Sequence, residues 1–275
     1  MKGQNRFALI IIALVLPTFQ ACGCNGGNES GVEVVPFDDV QFEICDDEED
    51  NDDDGRIDCL DTQCQRSTHC RFEPPSPKDL APKTDALGIS SFWESNRFLV
   101  EGDQAIVRNV ALRRLQKNSV SVIRARLIDH DDHPLPGVRA NIVNHPEYGY
   151  TFTRADGEVD FLVNSNTKLI LRFDDDDMLP VDVAFRPSPN TYEIGREVVL
   201  SKLDTLSTRV DENTLLSNSS VIKDDEGERQ LRVFFNSGTK ASTHLDDGRI
   251  AVLDSFTLRA SEYTTGKRGV DAMPF

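Results

Sequence analysis

Aromatic side chains are few, 7% of the 275 residues with a single Trp. A core can therefore be buried, but not a large one for the length. Basic residues are also in deficit. The chain has 30 Lys and Arg against 47 Asp and Glu, a formal net charge of −17, and no basic face for nucleic acid. No apolar run reaches the ~20 residues that a membrane-spanning helix needs. G-x-S-x-G, H-E-x-x-H and the phosphate-binding G-x-x-x-x-G-K-[ST] are all missing. No residue is singled out as catalytic, and a non-enzymatic protein is expected. Cysteine is limited to six, four of them between Cys45 and Cys70.

The acidity is concentrated. Thirteen acidic residues fall between Asp38 and Asp61, against one Arg. Within that stretch Asp50-Asn51-Asp52-Asp53-Asp54-Gly55-Arg56-Ile57-Asp58-Cys59-Leu60-Asp61 has a fixed spacing. Counted from Asp50, carboxylates occupy positions one, three, five, nine and twelve, with Gly at six. This is the oxygen-ligand pattern of an EF-hand-type calcium loop, with Asp at position twelve where Glu is usual. The expected ligands are Asp50, Asp52, Asp54, Asp58 (directly or through water), Asp61 and the Arg56 carbonyl. Gly55 would permit the sharp turn, and Ile57 would point away from the ion and anchor the loop. Calcium would bind weakly, on the order of 0.1–1 mM. A solvated or disordered acidic tail is the bland alternative. Zinc on the cysteines is another, but Cys59 and Cys64 lack C-x-x-C spacing and hard carboxylates crowd the loop.

The N-terminus predicts export. Lys2 and Arg6 precede the apolar run Phe7–Leu16, which suits a signal peptide over 1–21. Thr18-Phe19-Gln20-Ala21-Cys22 resembles the lipobox of bacterial lipoproteins, with Phe19 where Leu is usual. That resemblance implies cleavage before Cys22, a lipid on Cys22, and anchorage to the outer membrane or cell surface. An ordinary signal, with Cys22 and Cys24 paired or free, is the alternative. Residues 22–44 read as a flexible tether. In an oxidising compartment Cys45, Cys59, Cys64 and Cys70 would form two bridges, in any of three connectivities. Cys24 is left over.

Residues 71–118 read as a linker and packing segment. Phe72–Lys78 is Pro-rich, and Trp93 and Phe98 are suited to packing on the next domain. From 119 to 203, period-two alternation is clear. Ile123, Ala125 and Leu127 alternate with Arg124 and Arg126. Further strands run through Val138–Ile142, Tyr148–Phe152, Val159–Val163, Leu169–Phe173, Val181–Phe185 and Val198–Leu200. Asp156-Gly157 is a hairpin signal. Seven short strands without a long helix predict an all-β fold with a β-sandwich. A second small β module over 204–275 is indicated by Gln230–Asn236, Ala241–Leu245 and Ile250–Glu262.

Pro134-Leu135-Pro136-Gly137-Val138, followed by Gly149-Tyr150-Thr151-Phe152-Thr153-Arg154-Ala155-Asp156-Gly157, resembles the transthyretin-like domain of carboxypeptidase-regulatory type. The run His145–Gly157 and Leu171-Arg172-Phe173 are more similar to that domain in teneurins and bacterial teneurin-like YD-repeat proteins. Cys45–Cys64 resembles the Cys-rich run that precedes it there. Together, the lipobox-like Cys22, the calcium loop and this teneurin-like order of modules lead to the expectation of a lipid-anchored head with a structural calcium site and a β-sandwich for protein contact or adhesion. The alternative is an accessory or truncated head of a YD-repeat toxin-delivery protein, with the YD-repeat shell as partner. A hydrolase with an unrecognised site is a third reading. His130 and His133 in Asp129–His133, the run Asp174–Asp177, and His145 are read as polar turns rather than metal or catalytic sites.

Overall fold

The computed structural model describes residues 10–13, 34–36, 40–61, 63–65, 67–83, 90–224, 227–245, 248–262 and 268–272. Most of the expected leader lies outside them, as do Cys22 and Cys24. The chain divides into two compact units, Cys59–Lys202 with Thr264–Phe275, and Met1–Asp58 with Leu203–Tyr263. No helix among the described residues is long and apolar enough to cross a membrane.

The first unit is a β-sandwich of strands β1 (Val120–Ile128), β2 (Arg139–Ile142), β3 (Tyr150–Phe152), β4 (Glu158–Asn164), β5 (Leu169–Asp174), β6 (Val181–Phe185) and β7 (Tyr192–Val199). One sheet has three strands in the order β4-β1-β7, the other four in the order β3-β2-β5-β6. β1 pairs antiparallel with β4 and parallel with β7. The alternation read in the sequence sets which face is buried. Ile123, Ala125, Leu127, Val159, Phe161, Val163, Leu169, Leu171 and Phe173 are all buried in one core.

Trp93 joins that core. It lies in the short helix Phe92–Asn96, where Ser91 Oγ accepts the Glu94 amide as an N-cap. Phe98 packs against the same cluster. The Pro-rich run beginning at Phe72 is not a free-standing spacer. Phe72 meets Tyr150 and Phe152 edge-on, at ring-centroid distances of 5.9 and 5.4 Å. The Arg108 guanidinium lies 3.8 Å over the Phe72 ring. Composition suggested a linker, but one aromatic ring was enough to seat it.

Charge is buried on the β4-β1-β7 sheet as well. Asp160 is fully buried and takes Arg124 Nε at 2.7 Å and Arg154 Nη2 at 2.9 Å. Arg124 and Asp160 are direct cross-strand partners. Removing Arg154 would leave Asp160 to Arg124 alone, and removing Asp160 would leave the buried Arg154 to Glu158 and Asp156 at the surface.

The second unit is a set of small sheets. Ser207–Val210 and Ile10–Ala13 both pair antiparallel with Phe256–Glu262. Ala241–His244 pairs with Ile250–Leu253, which also takes Val34–Pro36 in parallel. Two ribbons, Leu216–Asn218 with Arg232–Phe234 and Ile222–Asp224 with Gly227–Arg229, complete it. The single long strand expected over Ile250–Glu262 is broken at residues 254–255. Part of the expected signal sequence is drawn here as a strand, as its Ile-rich run favours.

Candidate functional site

The acidic loop Asp50–Asp61 is a tight turn closed by its own carboxylates. Asp50 accepts the amides of Asp54 (3.2 Å) and Gly55 (2.9 Å). Asp54 Oδ1 accepts the Arg56 amide at 2.8 Å, and Asp61 Oδ1 the Gln63 amide at 2.5 Å. Gly55 has φ +87° with open space around it. It supplies the left-handed backbone that this turn needs.

Along this continuous stretch, oxygens of Asp52, Asp54 and Asp61 all lie within 4.8 Å of one another. Oxygens of Glu43, Asp50 and Asp52 form a second such group. Asp58 is brought into neither group. Its Oδ1 accepts the amides of Asp47 (3.1 Å) and Glu48 (3.4 Å). Arg56 enters through its amide, as described. Ile57 does not anchor the loop, because its side chain stands 42% exposed. No apolar pocket receives it, so the burial expected at that position is not gained.

Glu43 was missed in the sequence because it lies outside the twelve-residue frame. It is buried and accepts the amides of Asn51 and Asp58, each at 2.8 Å. The only hint was an acidic residue between the apolar Phe42 and Ile44. Burial, and then crowding by Asp54, Glu43 and Asp50, holds the Asp52 carboxyl above the usual carboxylate range, against a hydrogen bond from the Asp54 amide. Two carboxylates at 4.8 Å repel by roughly 3 kcal/mol at an effective dielectric near 20, and by less where water screens them. Asp54 Oδ2 is buried and has no hydrogen-bond partner. An all-oxygen set with crowded charge and a bare buried carboxylate oxygen fits a hard divalent cation.

All four clustered cysteines are disulfide-bonded, which leaves no free thiol among them for zinc. Cys59 pairs with Cys70.

The other polar clusters are turns. Asp129 Oδ1 accepts the amides of Asp131 and His133, and Asp129 Oδ2 meets His133 Nδ1 at 3.2 Å. His130 instead contacts Ser201 Oγ at 2.9 Å. Arg71 pairs with Asp175 and Asp176. His145 pairs with Glu147 at 2.9 Å.

Residues 115–200 match the Teneurin TTR-like domain family. Teneurin-3 of Danio rerio is 34% identical over 146 residues, which is 50% of this chain and 5% of that protein. Teneurin-1 of Gallus gallus is 28% identical over 189 residues, 65% of this chain and 7% of that protein. Teneurin-m of Drosophila melanogaster is 32% identical over 171 residues, 59% of this chain and 6% of that protein. The chain thus spans only a small fraction of the length of these relatives. Among solved structures, a streptococcal ancillary pilin aligns over 54% of this chain and 52% of its own, at 14% identity and a TM-score of 0.25, and carries no argument. The chain is all-β, and the match places a transthyretin-like domain, similar to that of the teneurins, at residues 115–200.

Proposed function

We propose that this protein is a non-enzymatic, cell-surface module that presents its transthyretin-like sandwich for protein contact. The observation that carries this reading is the match of residues 115–200 to the Teneurin TTR-like domain family, in a chain that carries a disulfide-bonded acidic loop N-terminal to it. Calcium would act structurally. Held by Asp50, Asp52, Asp54 and Asp61, with the Arg56 carbonyl and Asp58 directly or through water, it would offset the repulsion in the loop. Glu43 would hold the loop in shape from outside the frame.

Two experiments test the reading. Isothermal calorimetry on the oxidised full chain should give one calcium per molecule, with a dissociation constant on the order of 0.1–1 mM. D52A/D54A should abolish the uptake. No heat at several millimolar calcium, or tighter uptake of zinc that requires free thiols, would remove the assignment.

The second concerns localisation. The lipobox-like Ala21-Cys22 supports a lipid on Cys22. Each buried acyl methylene contributes about 0.8 kcal/mol, so two or more chains hold a protein on a membrane. Cells expressing the wild type should incorporate labelled fatty acid into the protein. C22S should lose the label and move to the soluble fraction. An unlabelled wild type would leave an ordinary secreted protein.

A further inference from the structure

The Cys59–Cys70 bridge closes a short strap over the edge of the sandwich, and the strap's seat has an unusual composition. Among its described residues the strap pairs with no strand of either sheet, and its regular structure there is two single 3-10 turns, at Asp58–Leu60 and Thr68–Cys70. The carbonyls of both bridged cysteines are instead received by side chains of the sandwich. Arg139 Nη2 donates to the Cys59 carbonyl at 2.6 Å, and the Tyr150 hydroxyl donates to the Cys70 carbonyl at 3.3 Å. Arg139 also lies over the Tyr150 ring, 4.0 Å from its centroid. Two residues past Cys70, Phe72 packs edge-on to Tyr150 and Phe152.

Arg139 is 4% exposed. Of its donors only Nη2 has a hydrogen-bond acceptor, while Nε and Nη1 are buried with none. Burial pushes the guanidinium down to about 10, with Tyr150 and Asp174 opposing the shift. A guanidinium with most of its donors bare would gain by meeting water. The closed strap denies it that water. The ring stacking, Arg108 over Phe72, the Arg71 pairs with Asp175 and Asp176, and the two carbonyl contacts hold the strap down, the buried cation pushes it off, and the covalent bridge removes the freedom of the open chain.

We propose that the strap 59–72 is a reduction-sensitive latch over the Arg139–Tyr150 seat. A dithiol opens it. The S–S bond breaks, each cysteine sulfur gains an electron and a proton, and the dithiol is oxidised to its cyclic disulfide. The strap then lifts, Arg139 is hydrated, and the face formed by Phe72, Tyr150, Phe152 and Arg139 opens while the β4-β1-β7 sheet stays folded.

The test is amide hydrogen exchange on the full chain, comparing wild type, C59S/C70S and C59S/C70S/R139M. The pair variant removes this bridge without touching Cys45 or Cys64. It should raise exchange across residues 63–72 at least tenfold and leave β1 and β4 unchanged. Adding R139M keeps an apolar stem on Tyr150 and removes the bare donors together with the Cys59 carbonyl contact, leaving Phe72, Arg71 and the Tyr150 hydroxyl to seat the strap. It should bring exchange in 63–72 back to within threefold of wild type. A strap in the pair variant as protected as in wild type would overturn the proposal. So would equal loss of protection in β1 and β4, which would make the bridge ordinary core support. A triple variant as open as the pair would take Arg139 out of the mechanism and overturn the latch in this form. Should the triple variant not fold, Y150F in the bridged chain gives the second reading. It loses the Cys70 carbonyl contact and should stay closed until dithiothreitol is added, then open faster than wild type; unchanged opening counts against the seat.

Discussion

Phe161→Ala will lower the unfolding free energy of the sandwich by about 3–5 kcal/mol. Phe161 is fully buried at the middle of β4, opposite Ile123 of β1 in register. It belongs to the same core as Leu127, Leu171 and Phe173, so both sheets lose contacts when the ring is removed. The strands around it are fixed by their hydrogen-bonded ladders and cannot close in over the gap. The lost transfer energy and the cavity term therefore add. In a domain of this size the loss should shift the melting temperature by roughly 12 °C or more. Denaturant and thermal unfolding of the full chain measure it. Ile194→Ala, at a residue 73% exposed on β7, is the internal control and should stay within about 0.5 kcal/mol. A near-neutral Phe161→Ala would mean that the face assignment of β4 is wrong.

Gly149→Ala should be comparably damaging, for a backbone reason. Gly149 has φ +68° and ψ −155°, a region that residues with a side chain rarely enter. An added Cβ would also land on the Arg108 carbonyl oxygen. That oxygen is in use. It accepts the Tyr150 amide at 3.1 Å while the Arg108 amide donates to the Tyr150 carbonyl at 2.9 Å. Relieving the clash means breaking this bridge, and with it the placement of Arg108 over Phe72. The cost should be at least about 3 kcal/mol, the sum of backbone strain and lost pairing. Equilibrium unfolding reads the total. Loss of protection at the Arg108 and Tyr150 amides in hydrogen exchange identifies the cause. A stability loss without that local signature would point to a different mechanism.

These two positions also mark what the sequence could and could not disclose. Phe161 was legible because Val159, Phe161 and Val163 recur at period two, although both faces of β4 are buried, Asp160 and Leu162 included. β7 was seen only at its end, through Val198 and Leu200. Its first residues, Tyr192 and Ile194, are large, apolar and exposed, so they break the rule that alternation depends on. Tyr148 was grouped with Tyr150 and Phe152 in one strand, but it lies in the single turn Pro146–Tyr148 and is buried from there. Gly149 falls inside that expected strand, and the carbonyl that forbids its replacement belongs to Arg108, far earlier in the chain. The acidic loop was readable because its ligand pattern is local. Glu43, which shapes it from outside, was not. The seating of Phe72 was hidden for the same reason, since Pro-rich composition describes the chain and not what it lands on.

The parallel pairing of β1 with β7 constrains how the protein can be made. Ser121 on β1 finds its partner Thr191 at a sequence separation of 70. A chain synthesised from its N-terminus delivers β1 early and β7 late. Until β7 arrives, the sheet can hold β4 against β1 and nothing on the other side. That bare flank offers unpaired amides and carbonyls to any passing strand. Contacts so distant in sequence also form slowly. The emerging chain therefore has an interval in which a holding chaperone, or simple dilution, decides between folding and aggregation.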